Sequence, residues 1–137
     1  MYIRFNTEYI SEYSRVVKRQ RKSCHITPIL KELHWLPVKF RSKYKILLLI
    51  YKCVYGEGPA YLVSMHKKHD PVRTLRFSSK TRLREHRVSK WYGKRAFSMA
   101  GPKLWNGLPS PTKNSPSVDA FKKSLKTHLF GKAFPKY

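Results

Sequence analysis

Along this chain apolar residues return every three or four positions in some stretches and lose that rhythm in others. Ile29, Leu30 and Leu33 form a short apolar stripe behind Thr27 and Pro28. A threonine hydroxyl can cap a helix, and proline at the first helical position gives up only an N–H that would be unpaired there. This helix should stop at Pro37, which pushes Leu36 out of the helical region. A longer helix is predicted from about Val38 to Tyr55. Phe40, Tyr44, Leu47, Leu48, Tyr51 and Val54 recur at helical spacing, with Arg41, Lys45 and Lys52 on the other side. Gly56 then supplies the terminus. Ile46 to Tyr51 is nearly apolar all round, so it should pack on two sides, within this chain or against a neighbour.

Pro59 can start a short helix through Met65. From His66 to Arg95 eleven basic residues follow without helical spacing. Thr81 to Val88 alternates in part, Arg82 and Arg84 on one side and Leu83 opposite, which reads as an extended arm or weak hairpin around 76–92. Ala96 to Trp105 is helical in pattern, but Gly101-Pro102 should break or kink it. Gly107 to Ser117 is rich in Pro, Ser and Gly and reads as a loop. A last helix, about Pro116 to Phe130, places Val118, Phe121, Leu125 and Leu129 on one face, with Lys122, Lys123 and Lys126 off it and Gly131 after its end. The fold class expected is mainly α, a small helical bundle with an extended basic arm. Residues 1–24 read as a basic leader, poorly ordered or a single helix, ahead of a segment at 25–137.

Charge changes the picture most. Thirty Lys and Arg against seven Asp and Glu give a formal charge of +23. So much charge of one sign repels itself and calls for a counter-charge. A phosphate backbone is the usual one, because each neutralised phosphate releases condensed counterions. The basic residues are spread along the whole chain, which suits an extended path of RNA or DNA better than a tail on a neutral domain. A ribosomal-type or histone-like surface would show the same physics without reading sequence. No single amphipathic helix gathers the cations as a membrane-surface helix does. The longest apolar run, Ile46 to Tyr51, is far short of the roughly 20 residues that span a bilayer. The opening residues lack the apolar core of a secretory signal. Cys24 and Cys53 alone imply no disulfide framework, so a nuclear or cytoplasmic location is expected, not a secreted one. The tract Arg15 to Lys22 suits an import signal, a phosphate contact or a solvated helix face.

Catalytic chemistry has little to work with. Metal-dependent polymerases and nucleases need clustered carboxylates. Here the only aspartates are Asp70 and Asp119, and the closest acidic pair, Glu8 and Glu12, has no third acid nearby. A two-carboxylate glycosidase fails on the same shortage. Cys24 beside His25 is a poor thiol–imidazole pair, and Cys53 reads as a small core residue. Zinc is the sharper rival: Cys24, Cys53, His66 and His69 number four, but the cysteines lack the paired knuckle of a finger. No metal or other cofactor is expected. The better lead is aromatic residues set among cations: Phe77, Trp91, Tyr92 and Phe97 lie among Arg76, Arg82, Arg84, Arg87, Lys90, Lys94 and Arg95. Single strands are gripped by such a mixture, phosphates on cations and bases on rings. The candidate nucleic-acid contacts are Arg76, Arg82, Arg84, Arg87, Lys90, Trp91, Lys94 and Arg95. In the plainer alternative Trp91 and Phe97 are core residues and only the cations meet solvent.

Three stretches occur in a distinctive order: HITPILKELHWLPVKFR at 25–41, YKILLLIYKCVYGEGPAYL at 44–62 and GKRAFSMAGPKLWNGLP at 93–109, followed by SVDAFKKSLKTHLF at 117–130. Over about residues 23–132 this succession resembles the extreme carboxy-terminal segment of reverse transcriptases from LINE-type (non-LTR) retrotransposons of the Jockey and chicken-repeat kind. The resemblance implies a segment beyond the polymerase thumb that helps hold template RNA or target DNA. The polymerase and endonuclease motifs of that family have no matching positions here, so no catalytic residue carries over. Lys94 stands where such sequences often have an acid, and the first 22 residues depart from the family's leading helix. Two alternatives stay open: an interaction module whose Tyr44–Tyr55 face docks a reverse-transcriptase core, and a translated transposon fossil without function. With few apolar faces available to cover Ile46 to Tyr51, an exposed patch and marginal stability of the isolated chain are expected.

Overall fold

A computed structural model describes residues 12–13, 15–19, 25–66, 82–85, 93 and 96–135. The chain is mainly helical, as its pattern predicts. The helices are α1 (Ile26–Glu32), α2 (Val38–Val54), α3 (Ala60–Met65), α4 (Phe97–Asn106), α5 (Ser110–Lys113) and α6 (Val118–Ala133), with helical residues also at 12–13 and 15–17. They group into two compact units, Met1–Ser42 with Lys126–Tyr137, and Lys43–Leu125.

In the first unit, α1 begins one residue before Thr27. Its cap is His25, whose ring Nδ1 accepts the Thr27 N–H at 3.4 Å. Thr27 therefore does not cap, and Pro28 is the third helical residue, not the first. The substitution works because every N–H of the first turn lacks an intrahelical partner. The helix also ends earlier than Pro37 requires. His34 takes a left-handed backbone (φ 53), its N–H donates to the Lys31 carbonyl, and the Trp35 N–H donates to the Leu30 carbonyl at 2.9 Å. That is a Schellman ending with histidine where glycine is usual. Pro37 serves the next helix instead: its carbonyl accepts the N–H groups of Phe40 and Arg41. Arg41 Nε donates to the Leu36 carbonyl at 2.7 Å, and its guanidinium lies 5.7 Å from the Trp35 ring centre. Ile29, Leu30, Leu36, Leu129 and Phe134 are buried.

Gly131 does not end α6, which continues to Ala133. An interior glycine costs a helix only about 1 kcal/mol. Phe134, buried and 4.8 Å from the Phe130 ring, anchors the last turn.

The second unit holds the aromatic core. Leu47 and Ile50 on α2 are 2% and 0% exposed, and Tyr51 is 2% exposed. Tyr51 stacks on Phe121 of α6 at 4.1 Å and tilts against Trp105 of α4 at 6.4 Å. Leu47, Ile50 and Tyr51 of the apolar run are thus covered by the chain itself. Leu49 of the same run is 41% exposed, so the expected open face is narrowed, not abolished.

Gly101-Pro102 does not break α4, which runs unbroken through both. An interior proline costs about 3 kcal/mol or more. Burial opposes that cost: Pro102 and Trp105 are both fully buried. Gly101 lets α2 come close, since a Cβ on it would lie 2.7 Å from Ile50 Cδ1. The expected loop at 107–117 contains a helical turn, α5, started by Pro109 and Pro111. It is tied down by α2: the Tyr51 hydroxyl donates to the Ser115 carbonyl and the Tyr55 hydroxyl to the Lys113 carbonyl, both at 2.8 Å.

Gly56 ends α2 as predicted. It is left-handed (φ 82), and the Glu57 N–H donates to the Lys52 carbonyl at 2.8 Å. Pro59 opens α3 as expected, and Tyr61, Val63 and Met65 on α3 are exposed. Residues 82–85 are non-helical, with Leu83 buried between exposed Arg82 and Arg84, so the alternation holds there. The rest of the arm around 76–92 lies outside the described residues.

Candidate nucleic-acid interface

The candidate interface is built on Leu83, which is 2% exposed. Burying a leucine is worth roughly 1.5–3 kcal/mol, which offsets part of the cost of ordering the segment around it. Its backbone must then find partners. Asn106, the last residue of α4, supplies them: the Leu83 N–H donates to Asn106 Oδ1 at 3.0 Å, and Asn106 Nδ2 donates to the Leu83 carbonyl at 2.9 Å. A side-chain amide offers an acceptor oxygen and an NH2 with two N–H donors, close enough together to meet both groups of one peptide residue. Asn106 therefore pairs with Leu83 as a residue of a neighbouring strand would. Asn106 Nδ2 also donates to Glu85 Oε1 at 2.7 Å.

Alternation along the extended segment turns Arg82 and Arg84 away from Leu83, and both are exposed. A third cation is held by the same asparagine. Lys113 is 6% exposed, and its Nζ donates to the Asn106 carbonyl at 3.1 Å. Burial holds its ammonium below the ordinary lysine range, and the positive charge of Arg82 lowers it further. Arg82 and Lys113 are thus close enough to repel. Glu85, the acid in the same segment, is engaged by Asn106.

Of the residues expected from sequence, this places Arg82 and Arg84 together. Arg76, Arg87, Lys90, Trp91, Lys94 and Arg95 lie outside the described residues, as do Phe77 and Tyr92. Phe97 meets the His66 ring edge-on at 5.1 Å, which occupies one edge of a ring considered for base stacking. Sequence reasoning missed Asn106 and Lys113. The Leu104-Trp105-Asn106 run is conspicuous, but nothing local tells that its amide reaches a residue 23 positions away.

The remaining chemistry is sparse. Cys53 is free and buried, and burial raises its thiol above the usual range, which makes it a poor nucleophile. His66 donates from Nδ1 to the Leu62 carbonyl at 2.9 Å. With Cys53, Val54, Val63 and Leu83 it lines a cavity of about 230 Å³. Among the described residues no group of three or more His, Cys, Asp and Glu could hold a metal ion. Cys24 and His69 of the zinc alternative lie outside them. Asp119 pairs with Lys122 at 2.9 Å and Glu32 with Lys18. Among the described residues no helix is long and apolar enough to cross a membrane. No protein-family model, no curated protein and no solved structure matches this chain.

Proposed function

We propose that this chain is a non-catalytic nucleic-acid-binding segment, akin to the post-polymerase tail of a non-LTR retrotransposon reverse transcriptase, that holds single-stranded RNA or DNA. The observation that carries the reading is the anchored pair Arg82 and Arg84, exposed on a chain of net charge +23. The absence of catalysis is argued from the scarcity of carboxylates: Asp119 and Glu32 pair with lysines and Glu85 with Asn106.

Gel-shift titration of the purified chain against single-stranded RNA, single-stranded DNA and duplex tests this reading. Retardation of a single strand is expected, together with no template-dependent nucleotide incorporation in Mg²⁺ or Mn²⁺. Incorporation by a preparation free of other polymerases would overturn the non-catalytic part. The second reading is a module whose Tyr44–Tyr55 face docks a reverse-transcriptase core. On that stretch Leu49 and Tyr55 are 41% and 45% exposed, and on α3 Tyr61, Val63 and Met65 are 64%, 38% and 50% exposed.

A further inference from the structure

We infer that Asn106 is the positioning residue of the interface: its side-chain amide clamps Leu83, which also stands in a β-bridge, so that Arg82 and Arg84 are presented together to the phosphates of one nucleic-acid strand. The inference rests on the nucleic-acid reading above and adds to it the residue that sets the geometry.

A short segment of chain has no fixed conformation by itself, and two arginines on it would have to be ordered anew on every binding event. Here the ordering is done beforehand. Leu83 is buried, and both its backbone groups are taken by one amide. The amide is itself held firmly. Asn106 ends a helix whose preceding residue, Trp105, is fully buried. Its carbonyl accepts from Lys113, whose own carbonyl accepts from Tyr55 on α2. The clamp is therefore continuous with the unit's core.

Asparagine fits this task closely. Aspartate would lose the donor to the Leu83 carbonyl and set a carboxylate against Glu85. Alanine would leave the N–H and C=O of Leu83 without their partner. Asn106 makes a second contribution: by donating to Glu85 it holds the segment's own carboxylate, which otherwise competes with a phosphate for the guanidiniums.

A double-mutant cycle on the full chain tests this, with a fluorescein-labelled oligouridylate as the probe. Asn106→Ala should weaken binding several-fold, and Arg82→Ala with Arg84→Ala more strongly. Added to that pair, Asn106→Ala should do little more, because it acts through the two arginines. An equal loss in both backgrounds, or none in either, overturns the clamp. Hydrogen exchange at the Leu83 amide gives a second readout without nucleic acid: protected in the parent chain, fast in Asn106→Ala. A Leu83 amide that exchanges freely in the parent also overturns it. Where Asn106→Ala fails to fold, Asn106→Ser, whose hydroxyl is too short to bridge both groups, takes its place in the same cycle. Failure of the parent to bind would remove the nucleic-acid reading and this inference together, whereas a parent that binds and a variant that binds equally removes this inference alone.

Discussion

Two tryptophan-bearing runs, His34-Trp35-Leu36-Pro37 and Leu104-Trp105-Asn106, look alike in sequence and do opposite things. The first chiefly shapes its own neighbourhood, with one distant contact, the His34 ring stacked on Phe130. His34 turns left-handed, two backbone bonds close α1, and Trp35 stays half-buried with the Arg41 guanidinium over it. The second works at long range. Trp105 is fully buried among Tyr51 and Phe121, and Asn106 reaches back 23 residues to hold Leu83. A conspicuous run can thus be a local stop signal or an anchor for a distant segment, and the residue types alone do not say which.

The comparison breaks most easily at the two tryptophans. Trp105→Ala should cost about 3–5 kcal/mol, as deletion of a large buried aromatic does. Trp35→Ala should cost about 1 kcal/mol, since it loses a partly exposed ring and one cation–π contact. Chemical denaturation of both variants measures the gap, and equal costs would mean the two runs are not of different kinds.

A subtler test concerns His34. Its left-handed backbone costs a non-glycine residue roughly 1 kcal/mol, which the stack on Phe130 at 5.4 Å offsets. His34→Gly removes the strain and the stack together and should leave stability nearly unchanged. His34→Ala keeps the strain and loses the stack, so it should melt lower, by about 1 kcal/mol relative to glycine. Identical melting of the two would show that the left-handed turn carries no strain.

The smallest effect is in pH. His128 on α6 has a buried ring nitrogen, Nε2, without a hydrogen-bond partner. Burial, and then the charge of Lys132, hold its pKa below the ordinary histidine value. The unfolded chain therefore binds the proton more readily than the folded one. Stability should fall as pH drops through about 6.5 and level off below the lowered folded value. His128→Leu should flatten that part of the stability–pH curve, and an unchanged curve would assign the pH dependence to other groups.

How much of this was legible depended on distance along the chain. The mainly helical class, both ends of α2, the start of α3 and the apolar face of α6 follow from spacing and from Gly56 and Pro59, all local signals. Neither Gly101-Pro102 nor Gly131 ends its helix, because local propensity is outweighed by burial of Pro102, Trp105 and Phe134. The loop at 107–117 hid α5 because Pro109 and Pro111 serve as helix starters as readily as turn formers. Arg82 and Arg84 were readable as candidates from charge and alternation. The clamp on them was not, since an asparagine at a helix end has many uses and only the fold brings Leu83 to it.

Salt dependence of binding tests the central claim most directly. Affinity of the parent chain and of the Arg82→Ala, Arg84→Ala variant for one single-stranded oligonucleotide would be measured from low to moderate salt. For the parent, log affinity should fall steeply against log salt, by about 0.7 per phosphate neutralised on a single strand. The variant's slope should be shallower by about 1.4, since two fewer phosphates are neutralised, with weaker binding to every sequence tried. A flat response in the parent, or an identical slope in the variant, would contradict the claim that these arginines meet phosphates.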